Sequence, residues 1–287
     1  MQTLTAQPDP STDRGLPGPP LRSATTHAQG LEKERANPLG SYLRARREHI
    51  TPEQAGIPTA GLRRVPGLRR EELAMLAGIS ADYYLRLERG RDRHPSRQVL
   101  DALATALQLD HDQVAHLGAL ASESPHARRP VRPPASVPTS TARLLRALPH
   151  PAFVEDRYFT ILSANEHAIT LNPRLTPGRN QLRDLLLDEE EQAMHPDGEL
   201  PAACLIASLR YTMGGDVHDP QFTHLTDELN RKSAQFREIW ARHDVRAQRG
   251  ATLRLTHPHA GALKLNREQL SINGNTDIKL VIYYPGE

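Results

Sequence analysis

Arginine side chains cluster between residues 69 and 93, where their type and spacing suit contacts to a nucleic acid. Only four of the 36 basic residues in the chain are lysine, and residues 37–97 carry 12 arginines against 7 acidic residues. A guanidinium can donate two hydrogen bonds to O6 and N7 of guanine, which is worth roughly 1–3 kcal/mol of discrimination between bases. It can also pair with phosphate oxygens, which positions a protein on DNA without reading its sequence. The cluster therefore predicts a DNA-binding surface.

The residues that surround this cluster have the pattern of a helix-turn-helix. Such a unit joins two short helices at a steep angle and constrains about twenty residues. Ala74 is the small residue at the predicted helix crossing, and Gly78 is the turn residue that tolerates a positive φ. The shared apolar core would be formed by Leu73, Ala77, Ile79, Tyr84 and Leu87. Ser80 suits the N-cap of the second helix, and Gly90 suits the position after its end.

The second helix, predicted from Ala81 to Arg89, would enter the major groove by its N-terminal end. Its outer face carries Ala81, Asp82, Tyr83, Leu85, Arg86 and Arg89. Arg86 is the first candidate for reading a base, and Tyr83 suits a thymine methyl or a phosphate. Asp82 either accepts a hydrogen bond from cytosine N4 or stabilises its own helix. The second role is favoured, because helix N-termini attract carboxylates and phosphates repel them.

Further candidates for phosphate contacts flank this recognition helix. They are Arg69 and Arg70 before it and Arg91, Arg93 and Ser96 after it, and Arg44 and Arg47 on the first helix could join them. For any single arginine the alternative is a solvated surface charge. One helix-turn-helix covers only a few base pairs, so we expect a homodimer on a palindromic double-stranded operator, with half-sites about one DNA turn apart.

The chain divides into two regions of opposite charge. Residues 1–150 hold 21 Lys and Arg against 15 Asp and Glu, whereas residues 151–287 hold 15 against 19. Such an asymmetry indicates a nucleic-acid-binding half and a half with another task. The proline-rich residues 1–36 are predicted to be a disordered tail, residues 37–121 a five-helix domain and residues 122–149 a Pro/Arg-rich linker. Residues 150–287 mix helices with alternating strands, which predicts an α+β domain with an antiparallel sheet.

Composition and motifs exclude several classes of protein. No apolar run approaches the roughly 18 residues of a membrane span, and the polar N-terminus does not resemble a secretory signal, so we expect a cytoplasmic protein. Cys204 is the single cysteine, which excludes intrachain disulfides and Cys-based zinc clusters. His257 and His259 flank a proline and lack a nearby carboxylate cluster, so no metal site is expected. No Gly-x-Ser-x-Gly turn organises a catalytic triad, and we expect neither enzymatic activity nor a cofactor.

Residues 39–121 resemble the Cro/repressor-type (XRE, lambda-repressor-like) helix-turn-helix domain. More narrowly, RRVPGLRREELAMLAGISADYYLRLERGRDRHPS, Arg63–Ser96, is similar to the actinobacterial MmyB-like regulators. In the second half, PAFVEDRYFTILSAN, SAQFREIWARHDV and HPHAGALKL stand where that family has recurring segments. The resemblance implies a bacterial transcription regulator, associated with the nucleoid through DNA, whose helix-turn-helix is followed by a PAS-like ligand-binding domain.

The resemblance also implies a small apolar, fatty-acid-like effector held between the sheet and the helices. The candidate wall residues are Phe153, Ile161, Leu205, Leu209, Phe236, Trp240 and Leu255. An ordinary hydrophobic core is the alternative for each of them, since pocket walls also pack. Arg157, Arg210 and Asn165 are candidates for the polar end of the site.

Two other functions remain open at the level of the sequence. A DNA-tethered enzyme would need a convergent acid, base or nucleophile in the second half, and none is recognisable there. A protein-interaction adaptor would retain the helix-turn-helix without reading DNA, so replacing Arg86 by Ala would leave its operator affinity unchanged.

Overall fold

The structure, a computed structural model, describes residues 30–58, 63, 65–122, 135–272 and 274–286. In the described part of the N-terminal region the regular structure is helical. A segment α1 covers residues 30–36. The five helices that follow are α2 (Pro38–His49), α3 (Arg70–Leu76), α4 (Ala81–Glu88), α5 (Arg97–Ala106) and α6 (His111–Ala121). This confirms the helical N-terminal domain.

Side-chain caps and glycine turns satisfy the backbone groups at the ends of these helices, and Ser80, Gly78 and Gly90 take the positions predicted for them. The Ser80 hydroxyl accepts a hydrogen bond from the Tyr83 backbone N–H at 3.1 Å, and Asp110 accepts one from the Gln113 N–H at 2.9 Å. Gly78 has φ +65° and Gly90 has φ +68°. Positive φ is the region that favours glycine, so the two turns around α4 depend on residues without a Cβ.

The N-terminal core is built around two buried tyrosines, Tyr42 and Tyr84. Leu73 and Leu87 are fully buried beside them, and Ala74 is buried where α3 and α4 pack against each other. Burying side chains of this size contributes about 1.5–3 kcal/mol each. The helix-turn-helix is thus held in place by the apolar positions predicted for it.

The buried carboxylate of Glu88 joins three helices of this domain, and Arg47 is one of its partners. The Glu88 carboxylate accepts a hydrogen bond from Arg47 at 2.9 Å and another from Arg70 at 2.6 Å. Arg47 also donates to the Leu68 carbonyl at 2.7 Å and is itself buried. The proposal that Arg47 contacts phosphate is wrong in this structure, because its guanidinium neutralises Glu88 inside the domain.

The C-terminal domain contains a five-stranded antiparallel sheet, which confirms the α+β class. The strands are β1 (Ala152–Asp156), β2 (Ile161–Ala164), β3 (Ala251–His257), β4 (Gly261–Ile272) and β5 (Asn275–Pro285), in the order β2-β1-β5-β4-β3. Residue pairs such as Phe153 with Val281 fix the register between β1 and β5. Three of these strands, β3 to β5, lie close to the C-terminus, and β4 is the longest of them with 12 residues.

Helices cover both faces of this sheet. They are α7 (Thr139–Ala147), α8 (Glu166–Leu171), α9 (Gln181–Leu187), α10 (Glu189–Ala193), α11 (Leu200–Met213), α12 (Pro220–Lys232) and α13 (Ala234–Ala241). Leu145 of α7 packs with Val154 and Leu280 on one face, and Ala168 of α8 packs with Phe153 and Val281 on the other. Helices α9, α11, α12 and α13 form a separate apolar cluster.

Two predicted boundaries need correction. Residues 30–36 were predicted within the disordered tail but are helical, because Leu31 is buried in the apolar cluster of α9 and α11–α13. The predicted linker 122–149 is shorter, since α7 is anchored by Leu145, which is 1% exposed. Residues 1–29 and 123–134 lie outside the described residues. Over the described ranges, no helix combines the length and the apolar character needed to cross a membrane.

Candidate nucleic-acid interface and ligand-binding region

The recognition helix α4 divides into a buried and an exposed face. Tyr84 and Leu87 are fully buried, and Glu88 lies beneath them in the ion pair with Arg47. The predicted contact residues are on the other side: Ala81, Asp82, Arg86 and Arg89 are exposed, and Tyr83 and Leu85 are half-buried. The helix therefore presents Asp82, Tyr83 and Arg86 on its outer face, close to the N-terminal end by which a recognition helix enters a major groove.

Arg86 is held by two neighbours on the same helix. Its guanidinium pairs with the Asp82 carboxylate one turn earlier and lies 5.4 Å from the centroid of the Tyr83 ring. Both partners keep Arg86 extended along the exposed face instead of folded onto the domain. Exposed pairs of this kind are worth less than about 1 kcal/mol, so a guanine edge can replace the carboxylate at small cost. Asp82 therefore pairs within the helix, in addition to lying in its first turn.

The residues predicted to contact phosphate flank this face and differ in how far they are exposed and paired. Arg69, Arg91 and Arg93 are exposed, and the Arg93 Nε donates to the Gly90 carbonyl at 3.1 Å. Arg70 remains 45% exposed although it pairs with Glu88. The Ser96 hydroxyl caps α5 by accepting from the Val99 N–H at 3.4 Å. Arg44 is exposed and pairs with Glu48 at 2.9 Å.

The predicted ligand wall is divided among different parts of the C-terminal domain. Phe153 of β1 and Ile161 of the edge strand β2 belong to the cluster under α8. Leu209, Phe236 and Trp240 are buried in the helical cluster, with Leu205 packed against it, while Leu255 is buried on the edge strand β3. The structure thus brings together four of the seven predicted residues, those of α11 and α13.

The three residues predicted for the polar end of the site are also separated. Asn165 is structural: its side chain accepts hydrogen bonds from the Ala152 N–H at 3.0 Å and the Ala168 N–H at 2.9 Å. The Arg210 guanidinium lies 3.8 Å from the centroid of the Trp240 ring and donates to the Trp240 carbonyl at 2.9 Å. Arg157 is buried and donates to the Thr212 carbonyl at 3.2 Å.

A buried polar network lies on the inner face of the sheet and was not predicted from the sequence. The Glu155 carboxylate, 1% exposed, accepts from Arg267 at 3.0 Å and from Gln269 at 2.8 Å, and also from Gln181 of α9. Burial raises the pKa of the Glu155 carboxyl, and the Arg267 charge opposes that shift. The network breaks the apolar surface where a ligand was expected between sheet and helices. The polar residues of β4 alternate with apolar ones, a pattern typical of a strand with one solvated face, so nothing in the sequence indicates that Arg267 and Gln269 are part of a buried network.

Residues 31–37 connect the two domains and are called the linking segment below. The Glu34 carboxylate pairs with Arg210 and accepts from the Trp240 indole N–H at 2.9 Å. Burial raises the pKa of Glu34, but the charge and hydrogen bond of Arg210 outweigh it and hold the pKa below its ordinary value. Arg35 donates to Thr226 at 2.7 Å and to Asp227 at 2.8 Å.

The same segment ends at the recognition helix. The Asn37 side chain donates to the Glu88 carbonyl, in the last turn of α4, at 3.0 Å and accepts from the Gly40 N–H at 3.1 Å. A Cβ at Gly90 would lie 2.7 Å from the Asn37 side chain, so the contact requires glycine there. The anchor on the C-terminal domain, Glu34, is thus only three positions along the chain from the anchor on the recognition helix, Asn37.

A second contact between the domains involves α6. The Asp112 carboxylate accepts from the Ala247 N–H at 3.0 Å and from Arg249 at 3.1 Å. Val245 is buried in the N-terminal apolar cluster, and a Cβ at Gly215 would lie 2.9 Å from the Ala119 carbonyl oxygen. The two domains therefore pack against each other at more than one place.

The histidine pair considered as a metal site is part of a tight turn, in which His257 Nδ1 accepts hydrogen bonds from the backbone N–H groups of His259 and Ala260. The ring centroids of His257 and His259 lie 5.9 Å apart in the turn between β3 and β4. Within the part of the chain that the structure describes, no group of three or more His, Cys, Asp or Glu residues has the arrangement of a metal site. Cys204 is exposed on α11.

Known protein families match both the N-terminal and the C-terminal domain of the chain. The family described as the MmyB-like transcription regulator ligand binding domain matches residues 137–287, slightly more than half of the chain. The chain belongs to this family of MmyB-like transcription regulators. A helix-turn-helix domain family matches residues 38–117, the segment that contains α2–α6 apart from the last turn of α6. A search of curated proteins gave no match.

The MmyB-like regulator is accordingly a helix-turn-helix DNA-binding protein with a C-terminal ligand-binding domain. The start of the matched domain at residue 137 agrees with the position of α7, which the sequence had assigned to the linker. DNA and a small effector are the partners that these two families indicate.

Proposed function

We propose that this regulator binds a palindromic operator as a homodimer and releases or captures it when a small apolar, fatty-acid-like effector binds the C-terminal domain. The observation that carries the proposal is the linking segment, which is anchored at Glu34 on the C-terminal domain and at Asn37 on the recognition helix. A movement of Glu34 would therefore be transmitted along this segment to Asn37 and α4.

The effector site is placed beneath α1, in the apolar cluster of α11–α13. A small cavity of about 30 Å³ lies there, lined by Leu31, Met213, Phe222 and Trp240 among others. This space is close to that of a single water molecule, so an acyl chain fits only if Leu31 moves out. An effector that occupies the position of Leu31 would favour a state in which α1 is released, and the population would shift towards that state.

DNA contact is assigned to the exposed side of α4 and its flanks. Arg86 would read a base, Asp82 and Tyr83 would orient it, and Arg69, Arg70, Arg91 and Arg93 would contact phosphates. The five-stranded sheet with its helices supports the PAS-like interpretation of the C-terminal domain, and a DNA-bound role supports a cytoplasmic location. Both matched families are regulatory or ligand-binding domains, which supports a function without catalysis.

The first test measures operator affinity of the full chain with and without saturated fatty acids of 8 to 16 carbons. The operator would be taken from genome-wide mapping of bound sites, which also gives the half-site spacing. We expect at least one chain length to change the dissociation constant about 5- to 150-fold, the usual range of allosteric coupling. Unchanged affinity across the series, with no fatty acid retained in native mass spectra, would remove the effector assignment.

The second test releases the linking segment without an effector. Glu34→Gln removes the charge that pairs with Arg210, whereas Glu32→Gln alters an exposed neighbour on the same helix. We expect Glu34→Gln to shift operator affinity in the direction of the fatty acid, with Glu32→Gln matching the wild type. Equal affinities for all three proteins would show that the segment does not couple the domains.

A further inference from the structure

A large cavity lies between the two domains and borders the space beneath Leu31, with which it shares His116 and Met213 among its lining residues. It measures about 660 Å³ and is lined by residues of both domains. His94, two residues before the N-cap of α5, and His116 of α6 belong to the N-terminal side, whereas Lys279 of β5 belongs to the C-terminal side. Volumes of about 300–1,000 Å³ are typical of sites for small organic molecules.

The charged lining of this cavity is mainly cationic. Arg35, Arg93, Arg157 and Lys279 face two carboxylates, Asp216 and Asp277, which leaves a formal excess of two positive charges. Arg35 is already paired with Asp227 at 2.8 Å, which reduces the excess to one and leaves Arg93, Arg157 and Lys279 as the cations of interest. Such an excess in a partly enclosed space attracts anions.

Arg157 is the most constrained of these cations. Its side chain is 7% exposed, and its two ion pairs, to Asp216 and Asp277, are both 3.6 Å long. That separation is beyond normal hydrogen-bond distance. One terminal nitrogen donates to the Thr212 carbonyl at 3.2 Å, while the buried Nε has no hydrogen-bond partner.

His116 gives a second unpartnered polar group on the same lining. It is 3% exposed, and its Nδ1 has no hydrogen-bond partner. Burial lowers the pKa of His116 to about 3, so the ring is neutral at physiological pH. It can therefore offer one donor or one acceptor without adding charge.

Part of the remaining lining is apolar. Leu39, Leu120, Met213 and Val217 contribute side chains from α2, α6, α11 and the loop after α11. A fully hydrated inorganic ion would leave this surface unused, whereas an organic body would cover it.

We propose that the interdomain cavity is a second ligand site, which takes a small organic acid whose oxyanion, a carboxylate or a phosphate ester, is held by Arg157 and Lys279. The site adjoins the proposed fatty-acid site beneath α1, but Arg157 and Lys279 do not line that space, so the anion site does not depend on it. Arg93 and His94 extend the site to the loop that follows the recognition helix, so its occupant contacts both domains at once.

The test is calorimetric titration of the full chain at low salt with three probes of similar size. Phenyl phosphate and phenylacetate carry the two oxyanions, and 2-phenylethanol is the uncharged comparison. We expect saturable binding of at least one anion, at least tenfold tighter than binding of the alcohol. A preference for phenyl phosphate assigns a phosphate ester, and a preference for phenylacetate assigns a carboxylate.

Variants locate the binding. Arg157→Gln and Lys279→Gln should each weaken the preferred anion at least tenfold, and Arg93→Gln about threefold. Lys264→Gln is the matched control, because Lys264 is exposed on the adjacent strand and does not line the cavity. If Arg157→Gln fails to fold, as judged by circular dichroism, the affinity of Lys279→Gln for the anion alone shows whether the anion binds in this cavity.

Three outcomes would overturn the proposal: no saturable binding, equal loss in Lys264→Gln and Lys279→Gln, or competition between decanoate and the bound anion. The last would indicate a single shared site. Because the titration contains no DNA, its result is independent of whether fatty acids control operator binding.

Discussion

The two halves of this regulator differ in how their functional residues are arranged along the chain. The proposed DNA-binding surface is built from residues 69–96, and its central face lies on one eight-residue helix. The candidate ligand residues span from Phe153 to Leu255 and are shared among separate apolar clusters. A local motif fixes its geometry by helical periodicity, whereas a ligand site depends on which distant elements pack together.

The halves also differ in where they place charge. In the N-terminal domain one buried carboxylate, Glu88, secures the helices and leaves the arginines of the outer face exposed. In the C-terminal domain the buried Glu155 and Arg267 lie on the inner face of the sheet itself. Buried charges therefore support the DNA-binding surface from behind, but they limit the apolar space available to a ligand.

The largest expected effect tests whether Phe153 belongs to the core or to a pocket. The Phe153 ring is fully buried against Tyr283. Phe153→Ala should therefore lower the free energy of unfolding, measured by urea denaturation, by about 3–5 kcal/mol. Leu270 is 49% exposed on the same sheet. As a control, Leu270→Ala should cost less than about 0.5 kcal/mol. A small loss at Phe153 together with lost effector binding would assign it to a pocket instead.

Arg86→Ala tests the DNA-binding surface directly. Operator affinity should fall about 10- to 100-fold, as expected for a lost bidentate base contact. Stability should change little, since the side chain is exposed. Fluorescence anisotropy with operator and scrambled duplexes would measure both affinity and discrimination. Arg97→Ala, at an arginine whose side chain is 93% exposed on α5, is the control. Unchanged discrimination in Arg86→Ala would favour the adaptor hypothesis.

The contact between the halves should make stability depend on pH. Burial lowers the pKa of His116 and of His243 to about 3, below the ordinary value of 6.5. Below the ordinary histidine pKa the unfolded chain binds protons at these histidines, whereas the folded chain does not. The free energy of unfolding is therefore highest above that pKa and decreases as the pH is lowered towards the folded-state pKa. Each histidine should cost about 1.2 kcal/mol between roughly pH 7 and pH 5.5.

Urea unfolding at these two pH values, with His116→Phe as the variant, would check this dependence. Phe retains a ring beside Tyr42, whose centroid lies 5.0 Å from that of His116. The variant should lose about 1.2 kcal/mol less than the wild type on acidification. An identical loss in both proteins would mean that His116 titrates normally.

The smallest effect concerns phosphate contacts. Arg91→Ala should weaken operator and non-operator DNA about equally, by a few-fold, and should reduce the slope of log affinity against log salt by about 1. Salt titrations with both duplexes would show it. A loss confined to the operator would instead assign Arg91 to base reading.

The sequence predicted the DNA-binding domain more completely than the ligand-binding one. Helical spacing placed Tyr84 and Leu87 inside and Arg86 outside, because both follow from the roughly 3.6-residue repeat of one helix. Arg47 was misassigned by the same method, since periodicity cannot reveal that Glu88, 41 residues away, provides a partner for a buried guanidinium.

What the sequence by itself determined is therefore the order of elements, the helix-turn-helix with its caps and glycine turns, and the antiparallel strands. These depend on contacts within a few residues, where side-chain type and spacing are sufficient. Only the tertiary structure decided that residues 31–37 bridge the two domains, that Glu155 and Arg267 meet across the sheet, and that Arg157 lines a cavity shared by both halves. The first two of these arrangements join residues from 112 to 206 positions apart, and long-range packing leaves no periodic signal in a single sequence.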